Sequence, residues 1–137
     1  MADVFIDTNI LLYYTLGTTG EINALKSIFS DSKLDIHIST QVVNEFCNVV
    51  IRKKLRSISQ INDLVQMFEQ TYLIETVSSA TTRSSLKIQQ RYKLSFYDSL
   101  IIATAIENNC KILYSQDMHH GLLIDKTTQI INPFKQA

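Results

Sequence analysis

The chain predicts an α/β protein: a mainly parallel sheet of four to five strands between two layers of helix. Three observations carry this. Short apolar, β-branched runs alternate with helix-period segments from end to end, the order that builds parallel sheets through crossover helices. With 3 Gly and 1 Pro in 137 residues, breakers are too scarce for a hairpin-rich β fold. Finally, one helical segment, Asp98 to Glu107, is apolar nearly all round, as a helix buried on most sides must be.

Element by element, Val4-Phe5-Ile6 reads as a buried first strand ending at Asp7. Asn9 to Leu16 reads as a short helix, and Gly17 and Gly20 bracket a turn. Glu21 to Phe29 places Ile22, Leu25, Ile28 and Phe29 at helical spacing. Ile36 to Ile38 is a second strand. Ser39 or Thr40 caps a helix carrying Val42, Val43, Phe46, Val49 and Val50 and reaching Leu55. Ser59 caps the next helix, with Ile61, Leu64, Val65 and Phe68 on one face. Leu73 to Val77 reads as a third strand, Ser79 to Tyr92 as a helix with a thin apolar face, and Ile112 to Tyr114 as a fourth strand. Gln129 to Ile131 is a candidate fifth strand, stopped by Asn132-Pro133. No linker or repeat divides residues 1–137, so one domain is expected.

The bulk numbers exclude some classes. The charge balances at 13 basic and 13 acidic residues, so the chain does not coat nucleic acid by charge alone. A local basic surface beside a local acidic site remains compatible with that balance. Cys47 and Cys110 belong to no C-x-x-C pair and read as buried free thiols. The N-terminal residues have no basic segment before an apolar run, and no apolar stretch nears the ~20 residues of a membrane span. A soluble, cytoplasmic protein without membrane contact is the expectation.

The acids fall at telling places. Asp7 follows strand one, and Asp117 lies just past strand four. Ligands of open parallel sheets bind outside the carboxyl ends of strands. Asp98 opens the most buried helix, and Glu45 sits among Val42, Val43 and Phe46, although acids are seldom buried without a partner. Taken singly, Asp98 reads equally as an N-cap and Asp117 as a turn residue. Taken together, four carboxylates repel and raise one another's pKa values. A hard divalent cation such as Mg²⁺ or Mn²⁺ resolves that conflict with oxygen-only ligands.

Four segments carry a resemblance: Phe5-Ile6-Asp7-Thr8-Asn9-Ile10-Leu11, Val43-Asn44-Glu45-Phe46, Tyr97-Asp98-Ser99-Leu100-Ile101-Ile102-Ala103 and Tyr114-Ser115-Gln116-Asp117-Met118. In this order they resemble the PIN-domain nucleases, in particular the VapC-like toxins of bacterial toxin–antitoxin pairs. The tail Ile130-Ile131-Asn132-Pro133-Phe134 is similar to one subgroup. There the residue before the fourth acid is often Glu; here it is Gln116.

The resemblance implies a three-layer α/β/α PIN-like fold and a metal-dependent endoribonuclease. Asp7, Glu45, Asp98 and Asp117 match the family's acids, which are catalytic and hold Mg²⁺ or Mn²⁺. It implies an RNA substrate, a cognate antitoxin protein as partner, and a homodimer. Two other classes stay open: a non-catalytic RNA- or protein-binding module, and a phosphoryl-transfer domain with Asp7 as nucleophile. The second commonly wants an aspartate where this chain has Asn9.

Around the acids, Thr8 and Asn9 either orient Asp7 or a phosphate, or simply cap a helix. Ser115 is a candidate partner of Asp7 or Asp117. Arg52, Lys53, Lys54 and Arg56 form the clearest basic run, on the helix of Glu45. They either guide an RNA backbone or form a solvated helix end favoured by its dipole. His119 and His120 read as surface or structural residues, and His37 as a satisfied histidine at the core edge. Leu11, Leu12, Tyr13 and Tyr14 suit core packing or a partner surface.

Overall fold

The computed structural model describes residues 2–135. Strand β1 (Ala2–Ile6) leads into helices α1 (Thr8–Leu16) and α2 (Thr19–Phe29). Strand β2 (Leu34–Ser39) leads into α3 (Thr40–Arg52) and α4 (Ile58–Thr71), and β3 (Leu73–Glu75) into α5 (Ser79–Tyr92) and α6 (Phe96–Glu107). Strands β4 (Ile112–Tyr114), β5 (Leu123–Ile124) and β6 (Thr128–Ile131) complete the sheet. Its order is β3-β2-β1-β4-β6-β5, parallel except for the β5–β6 pair.

The chain therefore steps outward from β1 to β3, then returns across the sheet to β4 on the other side of β1. Right-handed crossovers put α1 to α4 on one face and α5 and α6 on the opposite one. The packing agrees: α1 meets α2 and α3, α3 meets α4, and α5 lies along α6. This is the expected three-layer α/β/α arrangement. Its strand order reverses between β1 and β4, where their carboxyl ends open a crevice.

The core explains the central elements. Val4, Phe5 and Ile6 of β1 are buried, as both faces of a central parallel strand must be. In α6 the seven residues from Ser99 to Ala105 are all buried. The two hydroxyls in this buried stretch are satisfied locally: Ser99 Oγ donates to the Ser95 carbonyl and Thr104 Oγ1 to the Leu100 carbonyl, each at 2.8 Å. His37 lies on β2 between flanking strands, with Nε2 2.8 Å from Asp3 Oδ1 and Nδ1 2.8 Å from Glu75 Oε1. It is the satisfied histidine its sequence context suggests, and it clasps β1, β2 and β3 together.

Several boundaries differ from expectation. The sheet has a sixth strand, β5, of only two residues, too short to leave a pattern. Gly20 lies inside α2, whose cap is Thr18 in a reciprocal box with Glu21. Helix α4 is capped by Ser57, not Ser59, because Gln60 completes a box with Ser57. Helix α3 stops at Arg52 rather than Leu55, since Lys54 adopts a left-handed φ of 56°. The apolar run after Thr71 leaves the sheet at Glu75, and the Val77 amide donates to Thr40 Oγ1 instead. No helix among the described residues is long and apolar enough to cross a membrane.

Candidate active site

Asp7 is held at the end of β1 by its neighbours on the sheet. Its amide donates to the Tyr114 carbonyl at 3.0 Å, which sets it beside the end of β4. As the N-cap of α1 it accepts the Thr8 amide on Oδ1 at 2.6 Å. Ser115 Oγ donates to the other oxygen, Oδ2, at 2.8 Å. Asp7 as a whole is only 9% exposed. Burial pushes its pKa up to about 6; the Ser115 and Thr8 hydrogen bonds pull it down, and the Asp98 and Glu45 charges push it further up.

The other acids gather from different elements. Glu45, half-buried in the second turn of α3, accepts Thr8 Oγ1 at 2.9 Å on Oε1. Thr8 therefore ties α1 to α3 in addition to its place in the cap. Asp98 is the third residue of α6 and half-buried. Ser95, not Asp98, is the N-cap there; its Oγ accepts the Asp98 amide at 3.1 Å. The simple capping reading of the Asp98 side chain is thereby overturned. Asp117 is exposed beyond β4, and its Oδ2 accepts a hydrogen bond from Asn9 Nδ2. Ser115 and Asn9 thus each contact one of the acids, and Thr8 contacts two. Among the acids, Asp7, Glu45 and Asp98 share one electrostatic neighbourhood, while Asp117 is held by Asn9, two residues after Asp7.

Gln41 escaped the sequence reading. Its Nε2 donates to the Tyr97 carbonyl at 3.2 Å and lies 3.5 Å from Glu45 Oε1, linking α3 to the start of α6 beside Asp98. The available signal was its position four residues before Glu45, on the same helical face.

The basic run is dispersed. Arg52 ends α3, Lys53 caps it, and Lys54 and Arg56 lie past the helix, so the run is not one helical stripe. Arg52 and Lys53 line a cleft of about 310 Å³ between α1, α2 and α3, together with Asn9 and Glu21; Lys54 and Arg56 do not. His120 Nδ1 accepts the Asn132 amide at 2.9 Å, a structural role, and His119 is exposed. Asn132 Oδ1 accepts the Phe134 amide at 2.9 Å, and the Phe134 ring meets Tyr13 edge-on at 5.5 Å. Leu11 is buried, and the Tyr14 ring stacks on Phe29 at 3.9 Å.

Among the described residues no group of three or more His, Cys, Asp or Glu side chains is placed, as they stand, to hold a metal ion. The donor chemistry nonetheless fits a hard divalent cation. The donors are carboxylate oxygens, Asp7 is under pressure from two further acids, and no hydrogen bond or ion pair from a Lys or Arg side chain reaches any of the four among the described residues. Glu45 and Asp117 are each hydrogen-bonded only to neutral donors, Thr8 and Gln41 for Glu45 and Asn9 for Asp117.

Fold and site together define an open α/β domain with Asp7, Asp98 and Glu45 gathered near the reversal of its strand order. The PIN domain family matches residues 4–121. The chain belongs to that family. A toxin–antitoxin complex from Klebsiella pneumoniae has a similar chain (TM-score 0.68, 22% identity), with coverage of 97% of this chain and 99% of the other. VapBC2 from Rickettsia felis, bound to a DNA fragment from its promoter, matches with TM-score 0.62 and 21% identity over 84% and 87%. VapC20 of Mycobacterium tuberculosis, a sarcin–ricin-loop-cleaving toxin, matches with TM-score 0.69 and 14% identity over 83% and 89%. No curated protein sequence matches the chain.

Proposed function

We propose that this PIN domain is a metal-dependent endoribonuclease, the toxin of a toxin–antitoxin pair, acting as a single domain over residues 1–137. The observation that carries the reading is the burial of Asp7 against Asp98 and Glu45 with no cationic partner among the described residues. A fold has no structural need for such a cluster, which costs stability while it stays ionised. The similarity to chains of toxin–antitoxin complexes supports the toxin role.

Asp7, Asp98, Asp117 and Glu45 would hold Mg²⁺ or Mn²⁺. When bound, the ion supplies Lewis acidity at a phosphodiester, neutralising the acids and the charge that develops on phosphate. The chain's own residues do the rest. Ser115 and the Thr8 amide fix both oxygens of Asp7. Thr8 and Gln41 hold Glu45 towards the crevice, and Asn9 holds Asp117. Arg52 and Lys53, which line the same cleft as Asn9, would take the RNA backbone on its way in. Lys54 and Arg56 would add charge at its rim. The partners of this reading are RNA, a cognate antitoxin protein and a second copy of the chain, in the cytoplasm.

The test is cleavage of a mixed cellular RNA pool by the purified protein with Mg²⁺ or Mn²⁺, with chelator, and by Asp7→Asn and Asp98→Asn variants. Discrete products that need the metal and vanish in both variants are expected. Undiminished cleavage by either variant, or in chelator, would sink the proposal.

A further inference from the structure

Beside the acids lies a groove of about 430 Å³ that neither the fold nor the acid cluster requires. Its floor is one face of α3, carrying Gln41, Asn44 and Asn48, with Glu45 at its inner border. Its wall is Tyr97, on the first turn of α6 immediately before Asp98. Thr40 and Val77 close the remaining side.

Three features are unusual together. First, Tyr97 is 63% exposed. Its ring meets Phe96 edge-on at 5.3 Å, but stands outside the core. Second, amide side chains recur at positions 41, 44 and 48, spaced three and four residues apart on one helical face. Asn44 and Asn48 are exposed, and neither side chain has a hydrogen-bond partner within the described residues. Third, Gln41 is pinned with its nitrogen on the Tyr97 carbonyl and near Glu45, which leaves its buried Oε1 without a partner.

The charge of the groove decides what it can take. It contains no Lys or Arg and is lined by Glu45, with Asp98 following its lining residue Tyr97 in sequence. A phosphate would be repelled there. A flat neutral heterocycle with donors and acceptors on its edge fits: a ring to lie on Tyr97, and an edge for the carboxamides, which offer both donors and acceptors. Unpaired RNA bases are recognised in this way, by stacking on aromatic side chains and hydrogen bonding along their edges.

We propose that this groove is a nucleobase subsite: Tyr97 stacks an unpaired base of the RNA next to the cut phosphodiester, and Asn44 and Asn48 read its edge. The inference rests on the nuclease reading, and it places sequence preference on α3 and Tyr97 rather than on the acids. Tyr97, Asn44 and Asn48 are specificity-determining residues, not catalytic ones.

The chain contains no Trp, so Tyr97→Trp creates a sole indole at the platform. In an Asp7→Asn background, which prevents turnover, the indole is titrated with single-stranded rA4, rC4, rG4 and rU4, with RNA binding followed in parallel by anisotropy of labelled oligonucleotide. Saturable quenching that differs between bases and is levelled by Asn44→Ala with Asn48→Ala is expected. In active protein, Tyr97→Ala should raise KM about tenfold, the scale of a lost base–aromatic stack. Tyr97→Phe should restore it, and Asn44→Ala with Asn48→Ala should broaden the set of cleaved sites. RNA that binds by anisotropy without quenching the indole, or cleavage with unchanged KM and site choice in Tyr97→Ala, would overturn the subsite and leave the nuclease reading standing. Absence of metal-dependent cleavage by the parent protein would instead remove the reading beneath it.

Discussion

Asp7 shows how one residue can be costly to the fold and useful to the site. Its pKa is pushed up to about 6, mainly by burial, so the folded chain holds that proton more tightly than the unfolded chain, whose Asp titrates near 3.9. The penalty is therefore absent below about pH 4, grows as pH rises through 6, and is complete above it. At roughly 1.4 kcal/mol per pKa unit, the ionised carboxylate costs the metal-free domain on the order of 3 kcal/mol at neutral pH. Asn can keep both contacts, accepting from the Thr8 amide and donating to Ser115 Oγ. In chelator at pH 7.5, Asp7→Asn should accordingly melt roughly 5 °C or more above the parent, with the gap closing towards pH 4. Mg²⁺ should raise the melting point of the parent and not of the variant. A variant less stable than the parent at pH 7.5 would count against this account. At this scale the sequence spoke unevenly. Asp7 was legible because a short apolar run delivers it to a strand end. Gln41 was not, because its importance depends on how closely α3 approaches the start of α6.

At the scale of elements, local chemistry set most boundaries, and misreadings came where two local signals compete. The segment Ser57-Ile58-Ser59-Gln60 offers two hydroxyls, and only Ser57 has Gln60 at the position that closes a box. Ser57→Ala should destabilise the domain by about 1 kcal/mol, while Ser59→Ala, exposed inside the first turn, should change it by under about 0.5 kcal/mol. Urea titrations of both would decide; equal losses would return the cap to Ser59. The stop of α3 at Arg52 was harder to foresee, because no Gly or Pro marks it and Lys54 takes the left-handed position itself. The full burial of α6, by contrast, is written into its composition. An apolar residue on every side leaves no face for water.

For the whole molecule, the order of elements was legible and the crevice followed from it. A chain that steps outward from β1 and returns to β4 must open its crevice between them. What the order does not encode is the approach of helices from opposite faces, and so the groove beside Glu45 stayed hidden. The two thiols offer a global readout. Cys110 is 1% exposed, and burial first, then the Asp3 and Glu75 charges, push its thiol up to about 12; Cys47 is half-buried and raised by burial. At pH 8 iodoacetamide should modify Cys47 slowly, and Cys110 only at the rate of global unfolding. Mass spectrometry of partially labelled protein checks this. Equal labelling of both under native conditions would show that the α6–β4 junction opens locally.

The two borders of the sheet are stubs: β3 has three residues, and β5 has two running against its neighbour. A long bare border strand invites another chain to continue the ladder, which is the usual route to uncontrolled polymers. This chain offers a neighbour almost no backbone to zip onto at either margin. A second copy, if this chain takes one, would be expected to meet it through helix surfaces and side chains, contacts that geometry can limit to a closed pair.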